Sequence, residues 1–141
     1  MSTPYFETIL LTERVYRVFL DVINRKLDQE EIYNLTSIQA LVIYSIGKNR
    51  LTVGELSSRG YYQGTNVSYN LKKMIQFGYV QQTPAEHDKR TIFIHLTPKG
   101  LKIFELINQT LTKHEETFAN YESLKTHLRE FESFLLQDGV S

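Results

Sequence analysis

A chain of 141 residues, 41% apolar and 23% charged, is long enough to bury one hydrophobic core and too apolar to stay disordered. Its longest apolar run falls far short of the roughly 20 residues that a membrane-spanning helix needs. Residues 1–6 carry no basic patch before an apolar stretch, and the lack of cysteine excludes disulfides and thiol redox sensing. The expectation is a cytoplasmic protein with no membrane contact and no cofactor. Net charge is zero, but the charge is unevenly spread. Residues 1–49 hold five basic and six acidic side chains, net −1. Residues 50–100 hold seven basic and three acidic, net +4. Residues 101–141 hold four basic and seven acidic, net −3. A polyanion is attracted to the middle third and repelled by both ends, so the field orients the chain as well as binding it.

Residues 5–26 read as one long helix. Thr3 is a suitable cap and Pro4 a suitable first position. Phe6, Ile9, Leu10, Tyr16, Phe19, Leu20 and Ile23 recur every three or four residues. Residues 27–35 are polar and read as a connection. Thr36 caps a second helix, 37–46, with Ile38, Leu41, Val42, Tyr44 and Ile46 as its apolar set, and Gly47 ends it. Thr52 caps a short third helix reaching Arg59, with Val53 and Leu56 facing inward. Gly60 stops that helix, and Tyr61, Tyr62, Gln63 and Gly64 make a turn. The two tyrosines either line a ligand pocket, pack the helix junction or touch a DNA backbone.

The fourth helix runs from about Thr65 to Phe77 and is closed by Gly78. Val67, Leu71, Met74 and Ile75 fall on its inner face. At 100° per residue, Thr65, Tyr69, Lys72 and Gln76 fall opposite, with Asn66, Ser68 and Lys73 beside them. Asn70 falls near the buried side. The period then changes. Residues 79–83 read as a strand, 84–89 as a charged turn and 90–96 as a second strand. Ile92, Ile94 and Leu96 share one face of that strand. The expectation is a two-stranded hairpin with a polar tip. Thr97, Pro98 and Gly100 open a last helix that no proline or glycine interrupts over 101–138. Its stripe runs Phe104, Ile107, Leu111, His114, Phe118, Tyr121, Leu124, Leu128, Phe131, Leu135, with one slip between Tyr121 and Leu124. A single helix of that length approaches 55 Å at about 1.5 Å per residue. That is longer than a small domain is wide, so a partner helix is the simplest cover for the stripe.

Two short helices joined by a tight turn and followed by a hairpin make a winged helix-turn-helix. The fold class is mainly α with a small β-hairpin wing. The second helix of such a pair enters the major groove of double-stranded DNA. Thr65 and Asn66 open that helix and suit phosphates or base edges, aided by the helix dipole. Ser68 and Tyr69 lie where base edges fall, and Lys72 and Lys73 suit phosphates. At the wing tip, Arg90 suits a narrow minor groove. Asp88 is expected to hold its guanidinium through paired hydrogen bonds, and Lys89 reads as a solvated charge. His87, His95, His114 and His127 have no metal-ligand spacing; on one helix, His114 and His127 face different ways. No glycine elbow or phosphate-binding glycine loop supports an enzyme.

The segments LTSIQALVIYSIG (35–47), LTVGELSSRGYYQGTNVSYNLKKMIQFGYV (51–80) and HDKRTIFIHLTPKG (87–100) resemble the MarR-type transcriptional regulators. The turn RGYYQGTNVSYNLKK departs from the commoner form and is similar to an LdtR-like bacterial subgroup. The resemblance implies a triangular homodimer, with residues 1–34 and 101–141 as dimerisation elements around a DNA-binding region at 35–100. It also implies palindromic operators, repression as the commoner mode, and release by a small aromatic effector. The alternative reading is a winged-helix protein-interaction module without DNA binding.

Overall fold

In the computed structural model, residues 3–59 and 67–138 are described. Helix α1 (Pro4–Gln29) opens as its capping residues dictate: Thr3 Oγ1 accepts the Phe6 N–H at 3.1 Å, and Pro4 fills the first position. It runs three residues beyond the expected end at 26, because Leu27 belongs to the core and is buried together with Ile23. Phe6, Leu10 and Tyr16, further out on its apolar stripe, stay exposed. The connection that follows carries a further core residue, Leu35, and turns at Glu31, whose φ is +58°.

Helix α2 (Ser37–Ile46) begins with a reciprocal capping box. Thr36 Oγ1 accepts the Gln39 N–H at 3.1 Å, and Gln39 Oε1 accepts the Thr36 N–H at 3.0 Å. It is the central helix: Ala40, Leu41, Val42, Ile43 and Ile46 are all buried. Gly47 ends it at φ +62°, where a side chain is strained. A second capping box, between Thr52 and Glu55, starts α3 (Val53–Arg59), which buries Leu56.

The sheet corrects the sequence reading. It has three strands, in the order β1 (Leu51–Thr52), β3 (Ile92–Leu96), β2 (Val80–Pro84), all antiparallel. Leu51 pairs with Ile94, and Val80 pairs with Leu96. Strand β1 has two residues, too few to display a period. Ile94 and Leu96 are buried as expected, but Ile92, nearer the tip, is 42% exposed. Pro84 stands on an outer strand, where its missing N–H costs no ladder bond. Between α3 and β2 stands α4 (Val67–Gln76).

The long last helix is also corrected. It is two helices, α5 (Pro98–Thr117) and α6 (Tyr121–Asp138). The α5 ladder closes with Phe118 N–H on His114 O at 2.8 Å. The α6 ladder opens with Leu124 N–H on Asn120 O at 3.2 Å, so Asn120 stands at the N-cap position. The break falls beside the slip in the apolar stripe: one straight helix cannot keep both halves in phase. His114 and His127 consequently lie on different helices. By internal contacts the chain forms two units, residues 1–107 and residues 108–141. In the first, Ile103 and Ile107 of α5 join the core, and Phe104 stacks on Tyr44 at 5.1 Å. In the second, Phe131 is half-buried and the apolar side chains of α6 are otherwise exposed.

Candidate nucleic-acid interface

Helix α4 stands with the phase its sequence predicts. Leu71 and Met74 are buried, Val67 and Ile75 are half-buried, and Ser68, Tyr69, Lys72 and Gln76 are exposed. Burying two large apolar side chains of one helix stabilises its seat by about 1.5–3 kcal/mol each, which leaves the opposite side open to a ligand. Asn70 is half-buried, and its Oδ1 accepts from Gln39 Nε2 at 3.3 Å, tying α4 to the central helix. Lys73 is half-buried with its ammonium 5.8 Å from the Tyr69 ring centroid. That contact holds a cation beside the exposed polar side. Thr65 and Asn66, expected at the start of this helix, lie outside the described residues, as do Tyr61 and Tyr62. Of the fifteen residues of the LdtR-like segment, the seven at 60–66 lie outside the described residues too.

The wing tip carries Asp88, Lys89 and Arg90, all exposed. The expected grip of Asp88 on the Arg90 guanidinium is not formed. Asp88 Oδ1 accepts the Arg90 backbone N–H at 3.0 Å, and Oδ2 accepts the Thr91 hydroxyl at 3.1 Å. An aspartate side chain reaches the N–H two residues on more readily than a guanidinium at the end of a long stem, which is the geometry of an Asx turn. Asp88 therefore shapes the tip. Among the described residues the Arg90 guanidinium forms no ion pair.

Several contacts around these elements were not singled out from sequence. Arg50 lies 4.9 Å over the Phe93 ring of β3. The Tyr79 hydroxyl donates to Asn34 Oδ1 at 2.7 Å. Burial pushes the Tyr79 phenol above its ordinary pKa, and the Asn34 bond offsets this in part. Lys99 Nζ donates to Phe77 O at 2.8 Å. In the sequence this contact has one signal, the segment LTPKG, whose residue types announce a helix start and not a bond to α4. Among the described residues no His, Asp and Glu side chains are grouped to hold a metal ion, and no helix is long and apolar enough to cross a membrane.

Comparison with known proteins agrees with this geometry. Residues 35–100 match the winged helix DNA-binding domain family. The exopolysaccharide II synthesis transcriptional activator ExpG of Rhizobium meliloti is 32% identical over 116 residues, which are 82% of this chain and 60% of that protein. The chain thus spans about three-fifths of that relative's length. Streptococcus pneumoniae FabT, solved in complex with DNA, superposes with a TM-score of 0.77 at 19% identity, covering 94% of this chain and 98% of FabT. Staphylococcus aureus MarR, solved with salicylate and kanamycin, gives 0.70 at 22% identity, covering 94% and 93%. Residues 35–100 have the winged helix-turn-helix fold of the matching domain family, and the chain shares the fold of Streptococcus FabT and Staphylococcus MarR.

Proposed function

We propose that this chain is a sequence-specific DNA-binding transcriptional regulator that acts as a homodimer on a palindromic operator. One observation carries the reading. The polar side of α4 is open to solvent while Leu71 and Met74 anchor the other side. Ser68 and Tyr69, with Thr65 and Asn66 before them, read base edges in the major groove. Lys72 and Lys73 bind phosphates. Arg90, unpaired among the described residues, enters the minor groove from a tip shaped by Asp88, and Lys89 adds charge there. ExpG is named a transcriptional activator and FabT was solved on DNA, which supports regulation through DNA in this chain.

The dimer is supported by apolar side chains left uncovered within one chain. Phe6, Leu10, Leu11 and Val15 of α1, and Leu124, Leu128 and Leu135 of α6, are exposed. A second copy covers them, with residues 1–34 and 101–141 serving dimerisation. The protein works in the cytoplasm and is not an enzyme. It represses where its operator overlaps a promoter. A small aromatic effector releases it, by likeness to the salicylate-bound Staphylococcus protein. An open cleft of about 520 Å³ bounded by Lys48, Arg50, His95, Leu96 and Leu101 joins cationic and apolar side chains for such a molecule, and His95 Nδ1 is buried without a hydrogen-bond partner.

Selection of genomic fragments by the purified chain tests the reading. The expected product is a palindromic consensus with half-sites about 10 bp apart, centre to centre. Recovery of no enriched sequence would favour a winged-helix protein-interaction module.

A further inference from the structure

A recognition helix needs a fixed angle as well as a reading face. Helix α4 ends in a Schellman motif. Gly78, at φ +83°, donates to Ile75 O at 3.0 Å, and Tyr79 N–H donates to Met74 O at 2.9 Å. The carbonyls of Phe77, Gly78 and Tyr79 lie beyond the helical ladder, and each accepts from the segment that opens α5. Phe77 O accepts from Lys99 Nζ at 2.8 Å. Gly78 O accepts from the Thr97 hydroxyl at 2.6 Å. Tyr79 O accepts from the Thr97 N–H at 3.1 Å.

The two backbones also touch. A Cβ at position 100 would stand 2.1 Å from Tyr79 O, so only glycine lets α5 approach this closely. The Lys99 ammonium lies 4.4 Å from the Tyr79 ring centroid, and the Tyr79 hydroxyl reaches Asn34. Thr97 and Gly100 hold this junction with backbone and capping groups, since the Thr97 hydroxyl also accepts the Gly100 N–H. Lys99 adds an exposed side chain alone, placing a cation where a helix C-terminus favours one.

We propose that Lys99 is a positioning residue for DNA recognition: by tying the end of α4 to the opening of α5, it sets the angle at which α4 and the wing meet one duplex, a role that rests on the DNA-binding reading above. Lys99→Met keeps the stem and removes the donor. Lys99→Arg keeps charge and donors. Affinity is measured across a salt series on two duplexes of equal length, the best duplex from the genomic selection and a scrambled one.

Lys99→Met is expected to lose about tenfold in affinity for the selected duplex, the scale of one charge-assisted hydrogen bond. Affinity for the scrambled duplex stays within about twofold, the salt slope is unchanged, and Lys99→Arg recovers most of the discrimination. Tyr79→Phe is the stability control. It removes the bond to Asn34, keeps the ring under Lys99, and is expected to melt lower without losing discrimination. Equal losses on both duplexes with a slope reduced by about 0.9 would make Lys99 a phosphate contact and overturn the proposal. So would unchanged discrimination in Lys99→Met, or an equal loss in Tyr79→Phe. A wild-type chain that binds neither duplex would instead sink the DNA-binding reading, and the positioning role with it.

Discussion

Helices α2 and α6 are both rich in apolar side chains, yet they meet different fates. In α2, Leu41, Val42, Ile43 and Ile46 are buried by the same chain. In α6, Leu124, Leu128 and Leu135 are each between 42% and 47% exposed, and Leu136 is 65% exposed. The outer half of α1 behaves like α6. Apolar spacing states that a helix has a face to cover, and leaves open which chain covers it. Each uncovered leucine leaves part of about 1.5–3 kcal/mol of burial free energy unrealised. In the proposed homodimer, a second copy of the chain supplies the missing surface.

Substitutions in the two regions separate these cases. The largest effect is expected at Leu71, on the covered side of α4. Leu71→Ala should lower stability by roughly 2–5 kcal/mol in chemical denaturation, at every protein concentration. A neutral result would mean that α4 is seated by some other face. Next comes Arg90→Ala at the exposed wing tip. It should cost about 1–3 kcal/mol of operator affinity with an unaltered melting curve, because among the described residues its guanidinium forms no ion pair. Operator binding equal to wild type would remove the wing from recognition. The smallest effect is expected at Leu128. Leu128→Ala should weaken self-association by about 1 kcal/mol per substituted copy, and that loss should depend on protein concentration, unlike the loss at Leu71. Sedimentation of the wild-type chain as a monomer at micromolar concentration would contradict the dimer.

How far these features were legible depends on chain length and on side-chain reach. The start of α2 is legible from Thr36 and Gln39, because a capping box leaves two residue types at fixed spacing. The inner face of α4 is legible because Val67, Leu71, Met74 and Ile75 span more than two turns. Strand β1 is not, since its two residues pair with β3 only after the chain has folded back. The break between α5 and α6 leaves one faint trace, the slip after Tyr121, because residues 118–120 separate the helices and Asn120 starts the second without proline or glycine. At the candidate site, the exposed Ser68, Tyr69 and Lys72 follow from helical phase. The Asp88 contact does not, since sequence cannot distinguish a carboxylate that binds a guanidinium from one that binds the backbone beside it. The role of Lys99 depends on a close approach across twenty-two residues, which Gly100 permits but does not announce.

The proposed DNA recognition requires the polar side of α4 and the wing tip with Lys89 and Arg90 to meet a phosphate backbone together. The most direct measurement is the affinity of the purified chain for its selected duplex between about 50 and 200 mM salt. If six to ten phosphates are engaged, affinity should fall by roughly a thousandfold or more over that range, with log affinity linear in log salt. A flat line, with binding equally weak at both ends of the range, would contradict it.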